Sequence, residues 1–281
     1  MFQTSYYFYC YFKQFPNLDG EMSFSVPTGN FGDVLAGYYA KRMGLPTRHL
    51  IVATNANDIL NRFFTTGVYD KYPVIQTFSP SMDIGISSNF ERYLFYLFGE
   101  DSKKLNMMME EFNKTGRLEV DKDLLKAAQE DFLAAVCTED QTVETIARYH
   151  KDFGYTLDPH TACGVSAVDQ MRAKMAPVCK SPKNKHLMVV LSTAHPAKFG
   201  AAVARATGCT VSLPTGLADL KDSEVRFQVL PASTQKIKTA IVDMLPDPTG
   251  ARNVYTFKHH AAFSAMLAVA IGLGFALGKK F

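Results

Sequence analysis

The sequence predicts an α/β protein built on a mostly parallel sheet, and three observations carry that prediction. Apolar, strand-like runs at Met22–Pro27, Arg48–Asn55 and His186–Thr193 are the pattern expected of mostly parallel strands buried on both faces. A segment with helical spacing follows each run: Val34–Met43, Asn57 to about Thr65, and Lys198–Thr207. The first strand meets its helix through a glycine turn, Ser25-Val26-Pro27-Thr28-Gly29-Asn30-Phe31-Gly32-Asp33.

Taken in order, the chain opens with an aromatic run, SYYFYCYFKQF, which has no basic leader and no small-residue cleavage site. It reads as a buried helix that requires a covering layer, so the chain begins like the middle of a fold. Between the second and third strands, Phe90–Phe98, Lys103–Lys114, Leu124–Val136 and Thr142–His150 carry helical spacing. They make a helical insertion, punctuated by Gly116 and by the Asp-Pro-His segment at Asp158.

Bulk properties narrow the function. With 30 basic and 27 acidic residues and no basic stripe, nothing favours a nucleic-acid partner. The five cysteines are odd in number, scattered and without a Cys-x-x-Cys pair. They argue against a disulfide framework or a metal site and for a reducing compartment.

The glycine turn has two readings. Converging N–H groups at a helix N-terminus suit a phosphate, and glycines there permit positive φ and close backbone approach. The plainer reading is a tight strand-to-helix turn with Asp33 in the first helical turn. No Lys-Ser/Thr follows, as a nucleoside triphosphate loop would need, and the three-glycine dinucleotide pattern is absent.

Three further stretches bear on the choice: FSPSMDIGISSNFERYLF from Phe78, LDPHTACGV from Leu157 and LSTAHPAKF from Leu191. In this order after VPTGNFGDVLAGYYAKRMGLP, they resemble the fungal and bacterial branch of threonine synthase over Ser5 to Cys209. The resemblance implies a tryptophan-synthase-β-like, three-layer αβα fold and pyridoxal 5′-phosphate as cofactor. It also implies conversion of O-phospho-L-homoserine and water to L-threonine and phosphate, in the cytoplasm.

Residue by residue, it makes Gly29, Asn30, Phe31, Gly32 and Asp33 the cup for the cofactor's phosphate. It sets the Thr193 hydroxyl against the pyridine nitrogen, although Thr193 also reads as a cap at a strand end. Ser87, Ser88, Asn89 and Arg92 fall where the family recognises a phosphorylated substrate. Ser88 or Asn89 reads equally as the cap of the following helix. His160, Thr161 and His195 are assigned no chemical step.

The family's cofactor-bearing lysine lies in a Phe-Lys-Asp motif that this sequence lacks; Lys13 and Lys258 are look-alikes without its flanks. No catalytic residue is therefore assigned, and the expectation is a chain that starts after that segment. The alternative is a non-catalytic paralogue that keeps a phosphate-binding fold. The expected domains are 1–220, like threonine synthase, and a divergent tail, 221–281. Within the tail the uncharged run 261–278 reaches the lower limit for spanning a bilayer, but its alanines and glycines weigh against a membrane anchor.

Overall fold

A computed structural model describes residues 2–175, 185–218, 223–225 and 227–245 of the chain. The chain divides after Ala218 into two units. In the first, four parallel strands form one sheet: β1 (Gly20–Pro27), β2 (Thr47–Thr54), β5 (Phe132–Val136) and β6 (Lys185–Val190), in the order β5-β2-β1-β6. Two short strands, β3 (Val68–Asp70) and β4 (Arg117–Glu119), pair antiparallel beside it.

Side chains alternate across the sheet and make two cores. On one face Phe24, Val26, Leu50, Val52 and Phe132 pack beneath α1 (Thr4–Gln14), α2 (Gly32–Arg42) and α3 (Ile59–Thr66). On the other, Ile51, Ala53 and Ala135 meet Ala167, Met171 and Met175 of α8 (Pro159–Met175). This is the three-layer αβα arrangement, with both faces of the sheet covered; on β1 even Ser23 and Ser25 are fully buried. Small residues bring α8 close. A Cβ on Gly164 would lie 2.8 Å from Val190 and 3.3 Å from Pro27, and the Gly164 carbonyl accepts the Ser25 hydroxyl at 2.7 Å.

The opening aromatic run is α1, with Tyr7 and Tyr11 fully buried against the sheet and α2, while Tyr9 and Phe12 face solvent. Outer helices α4 (Phe90–Leu97), α5 (Ser102–Thr115) and α6 (Lys122–Asp131) extend the first layer. Helices α7 (Glu139–Phe153) and α9 (Gly200–Thr207) pack together beside α8.

Two expectations are corrected. Leu124–Val136 is not one helix: α6 ends at Asp131 and β5 begins at Phe132 without a connecting loop. Phe-Leu-Ala-Ala-Val is apolar on every face, so periodicity alone does not separate helix from strand; pairing with Leu50–Thr54 of β2 decides it. The Asp-Pro-His segment is also more than punctuation. Pro159 sits at the first position of the long helix α8, where its missing N–H costs no hydrogen bond.

In the second unit the described residues include α11 (Thr234–Met244), which presents Ile237, Ile241 and Val242 to solvent; a short helix, α10 (Thr215–Ala218), closes the first. Among the described residues no helix is long and apolar enough to cross a membrane. The 261–278 run and Lys258 lie outside them.

Gly164→Val tests the tight seating of α8. Overpacking against Val190 and Pro27 is expected to cost about 1–3 kcal/mol, read as a lower urea midpoint with the slope retained. An unchanged midpoint would show that α8 has slack against the sheet.

Candidate phosphate-binding site

The chain leaves β1 toward β2 on one side, and returns through α7 and α8 to place β6 on the other. The carboxyl ends of β1 and β6 therefore flank the point where strand order reverses, the usual ligand crevice of open α/β sheets. Gly29–Asp33 follows β1 there. On β6, Val190 pairs with Ser25, so Thr193 and Thr28 each lie three residues past this last pair, at the same end of the sheet.

The loop is shaped by what happens to its carbonyls. The Ser87 hydroxyl donates to the Gly29 carbonyl. The Asn30 carbonyl accepts both the Asn89 backbone N–H at 3.1 Å and the Asn89 side-chain amide at 2.9 Å. Ser88 adds a bond from its hydroxyl to Asn30 Oδ1 at 3.3 Å. With the carbonyls turned toward residues 87–89, the backbone N–H groups from Gly29 to Val34 have no acceptor among the described residues. They run into the first turn of α2, whose dipole adds partial positive charge. A row of unpaired donors at a helix N-terminus is the arrangement a phosphate requires.

The glycines act differently from the expectation. Neither Gly29 nor Gly32 has positive φ; Phe31 does, at φ 61° and ψ 6°. A left-handed non-glycine residue costs about 1–2 kcal/mol. The Phe31 ring offsets this cost by lying fully buried among Phe64, Phe90, Tyr93 and Phe132. Gly29 is needed for close approach, because a Cβ there would stand 2.9 Å from both the Ser81 carbonyl and Ile84 Cγ1. At Gly32 a Cβ would meet the Asn89 amide at 3.2 Å.

Asp33 turns its carboxyl away to the hydroxyls of Tyr6 and Tyr7 on α1, the latter at 2.9 Å. Burial pushes this carboxyl above its usual range, and the two tyrosine hydrogen bonds only partly oppose it. Asp33 thus offers the loop its N–H.

Asn89 occupies the cap position of α4, but its side chain makes no capping bond; it is spent on Asn30. Arg92 is exposed, has no ion partner among the described residues, and lines one hollow with Ser88, Tyr39 and Tyr96. Thr193 is exposed at the sheet edge. His195 caps the short helical turn Pro196–Phe199, its Nδ1 accepting the Ala197 N–H at 3.2 Å. Lys13 lies on the exposed side of α1.

His160 stands in the first turn of α8 rather than in a tight turn, and is buried. Its Nδ1–H donates to Asp158 at 3.1 Å, which leaves Nε2 to accept the Ser81 N–H at 3.2 Å. Thr161 donates its hydroxyl to the same carboxylate. Burial would raise the Asp158 pKa, but bonds from His160 and Thr161, side chain and backbone, outweigh it and hold the carboxyl below its ordinary range.

Residues not singled out from sequence complete the rim. Asn55, buried just beyond β2, places its side-chain nitrogen 2.8 Å from Thr77 Oγ1 and Asp83 Oδ1, and 3.0 Å from Ser79 Oγ. Asn57 joins Asp83 at 2.9 Å and the Ile75 carbonyl at 2.8 Å. This network holds the segment that underlies Gly29. Its sequence signal is two asparagines directly after a buried strand, Thr54-Asn55-Ala56-Asn57.

The parallel sheet between two helical layers has the α/β architecture of the tryptophan-synthase-β-like fold. Within it, the family model for the C-terminal domain of threonine synthase matches residues 161–241. The threonine synthase of Pseudomonas aeruginosa is 43% identical over 242 residues, covering 86% of this chain and 50% of that protein. Among solved structures, PLP-bound threonine synthase from Brucella melitensis superposes with a TM-score of 0.74 at 42% identity, over 85% of this chain and 49% of that one. Yeast threonine synthase gives 0.73 at 38% identity, over 86% and 51%. The chain belongs to the threonine synthase family and spans about half the length of the relatives it matches.

Asp158→Asn tests the support under the loop. Because the folded pKa is lowered, the carboxylate's contribution is complete above its unfolded value and is lost as pH falls through the folded one. The variant is expected to be about 1–3 kcal/mol less stable at pH 7 in urea titrations. That gap should narrow below about pH 4. A gap that persists unchanged at pH 3 would assign the loss to shape rather than charge.

Proposed function

We propose that this chain binds pyridoxal phosphate through the Gly29–Val34 amides, and carries the phosphate-recognising part of threonine synthase chemistry. That reaction converts O-phospho-L-homoserine and water to L-threonine and phosphate. The observation that carries the reading is the row of backbone donors without acceptors at the point where strand order reverses. When bound, the cofactor supplies an electron sink for carbanions at the substrate's Cα and Cβ.

The chain's own contributions follow from its geometry. The amides of Gly29 to Val34 and the α2 dipole hold the cofactor's phosphate without a charged side chain. The neutral Thr193 hydroxyl would face the pyridine nitrogen, where a hydroxyl, unlike a carboxylate, would not hold a proton on the ring. Ser88 and Arg92 grip the substrate's phosphate, Arg92 through a charge-assisted pair. Asn89 acts through Asn30, keeping the loop's carbonyls out of the phosphate's way.

Titration of the full chain with pyridoxal phosphate, and separately with inorganic phosphate, tests this reading. Gly32→Val pushes on Asn89 and crowds the amides, so both ligands are expected to bind about tenfold or more weakly. Thr193→Val is expected to weaken pyridoxal phosphate only. Arg92→Ala is expected to spare both and to lose O-phosphohomoserine. A folded Gly32→Val protein with native affinity would reduce the loop to a turn.

A further inference from the structure

A second cluster of reactive groups lies behind the phosphate loop and takes no part in the binding described above. Cys137 immediately follows β5, fixed by its N–H bond to the Thr54 carbonyl at 2.8 Å. Cys163 stands near the start of α8, over the same end of the sheet. Both thiols are buried and share one neighbour, the Thr142 hydroxyl on α7, 3.3 Å from Cys137 Sγ and 3.6 Å from Cys163 Sγ. Met82 completes a small sulfur-rich core with them, and Ser79 Oγ lies 4.0 Å from Cys163 Sγ. Ser79 and Met82 belong to the segment on which Gly29 rests.

We propose that Cys137 and Cys163 are a redox-active dithiol that closes to a disulfide on two-electron oxidation by a peroxide. Three elements converge here, the end of β5, the first turn of α7 and the start of α8, and they set both sulfurs within 3.6 Å of one hydroxyl, that of Thr142.

The thiols are not equivalent. The Cys163 thiol bonds to Cys137 and favours its thiolate; Thr142 and Ser166 add to this, outweighing burial, so the Cys137 pKa falls. The same partnership, with burial, pushes Cys163 up. Thr142 has one hydroxyl proton and a second acceptor, the Thr138 carbonyl at 2.9 Å; it turns to the sulfur as Cys137 ionises. Glu139, at the start of α7, is the carboxylate that opposes the Cys137 thiolate.

The chemistry balances with one peroxide. The Cys137 thiolate attacks one peroxide oxygen and the O–O bond breaks. A sulfenic acid forms on Cys137, and the departing hydroxide takes up the proton Cys137 released, as water. The Cys163 sulfur then attacks Cys137 Sγ, the S–O bond breaks, and the second hydroxide leaves as water with the Cys163 proton. Two thiols become one disulfide while the peroxide is reduced to two waters. The new bond draws the sulfurs to about 2.05 Å, which takes them off Thr142 and repacks the sulfur core beneath Ser79 and Met82.

The test does not depend on cofactor binding. The full chain carrying Cys209→Ser, which removes the exposed thiol, is treated with hydrogen peroxide and digested without reduction. A peptide pair joined through Cys137 and Cys163, two hydrogens lighter than the reduced pair and released by dithiothreitol, is the expected product. In a Cys163→Ser chain, dimedone is expected to trap the sulfenic acid on Cys137. In a Cys137→Ser chain, Cys163 is expected to remain unlabelled. Recovery of both thiols unmodified, pairing of either with Cys10 or Cys179, or dimedone on Cys163 in preference to Cys137 would overturn the assignment.

Discussion

The site depends on one trade in hydrogen bonding. The Gly29 and Asn30 carbonyls are spent on Ser87 and Asn89, and the amides from Gly29 to Val34 are left without partners among the described residues. Backbone donors are rarely left unpaired unless water or a ligand satisfies them. A turn that only linked β1 to α2 would have no need of a second segment, fifty-odd residues away, to occupy its acceptors. The latch is the feature on which the proposed phosphate-binding role of this loop rests.

The rest of the first unit serves to hold that latch. Phe31 takes the left-handed conformation that starts α2, and its ring is anchored by aromatic side chains from α3, α4 and β5. Ser87 is fixed from behind by the Tyr69 hydroxyl, which accepts its N–H at 2.8 Å. Tyr69 belongs to the small β3–β4 sheet, whose Asp70 is clamped by Arg62 and Arg117. The peripheral sheet thus reaches the site through Tyr69, by its hydroxyl on Ser87 and by its ring stacked on Phe90. Below the loop, Asp158 orients His160, His160 holds Ser81, and Ser81 abuts Gly29. Each contact is local, yet together they fix a five-residue loop from three sides.

Much of this was legible in the residues, and the failures are informative. Strands β1, β2 and β6 and their helices stood out because each strand is an apolar run followed by a segment of helical spacing. Phe132–Val136 did not, because a short apolar run adjoining a helix has no period of its own. The loop was found, but its geometry was assigned to the glycines. The sequence offers no sign that Phe31, a bulky residue, carries the positive φ; only the aromatic pocket around its ring makes that affordable. Ser88 and Asn89 were open between capping α4 and meeting a ligand. Asn89 makes no capping bond; its amide bonds instead to a carbonyl 59 positions earlier in the chain. Long-range pairing of that kind leaves no local pattern.

The same reasoning separates the parts of the molecule that ligand binding constrains from those it does not. Asn55, Asn57, Thr77 and Asp83 form a closed hydrogen-bond network, and such a network is rigid because each member satisfies another's buried polar atoms. The sulfur core of Met82, Cys137 and Cys163 touches the same segment through longer contacts, and Ser79 Oγ is shared between Asn55 at 3.0 Å and Cys163 at 4.0 Å. Residues 77–83 are therefore held by strong directional bonds through the asparagines and by soft packing through the sulfurs. Ser81, Met82 and the neighbouring Ile84 are the residues that bear on Gly29, so the rigidity of this stretch is what sets the seat of the loop.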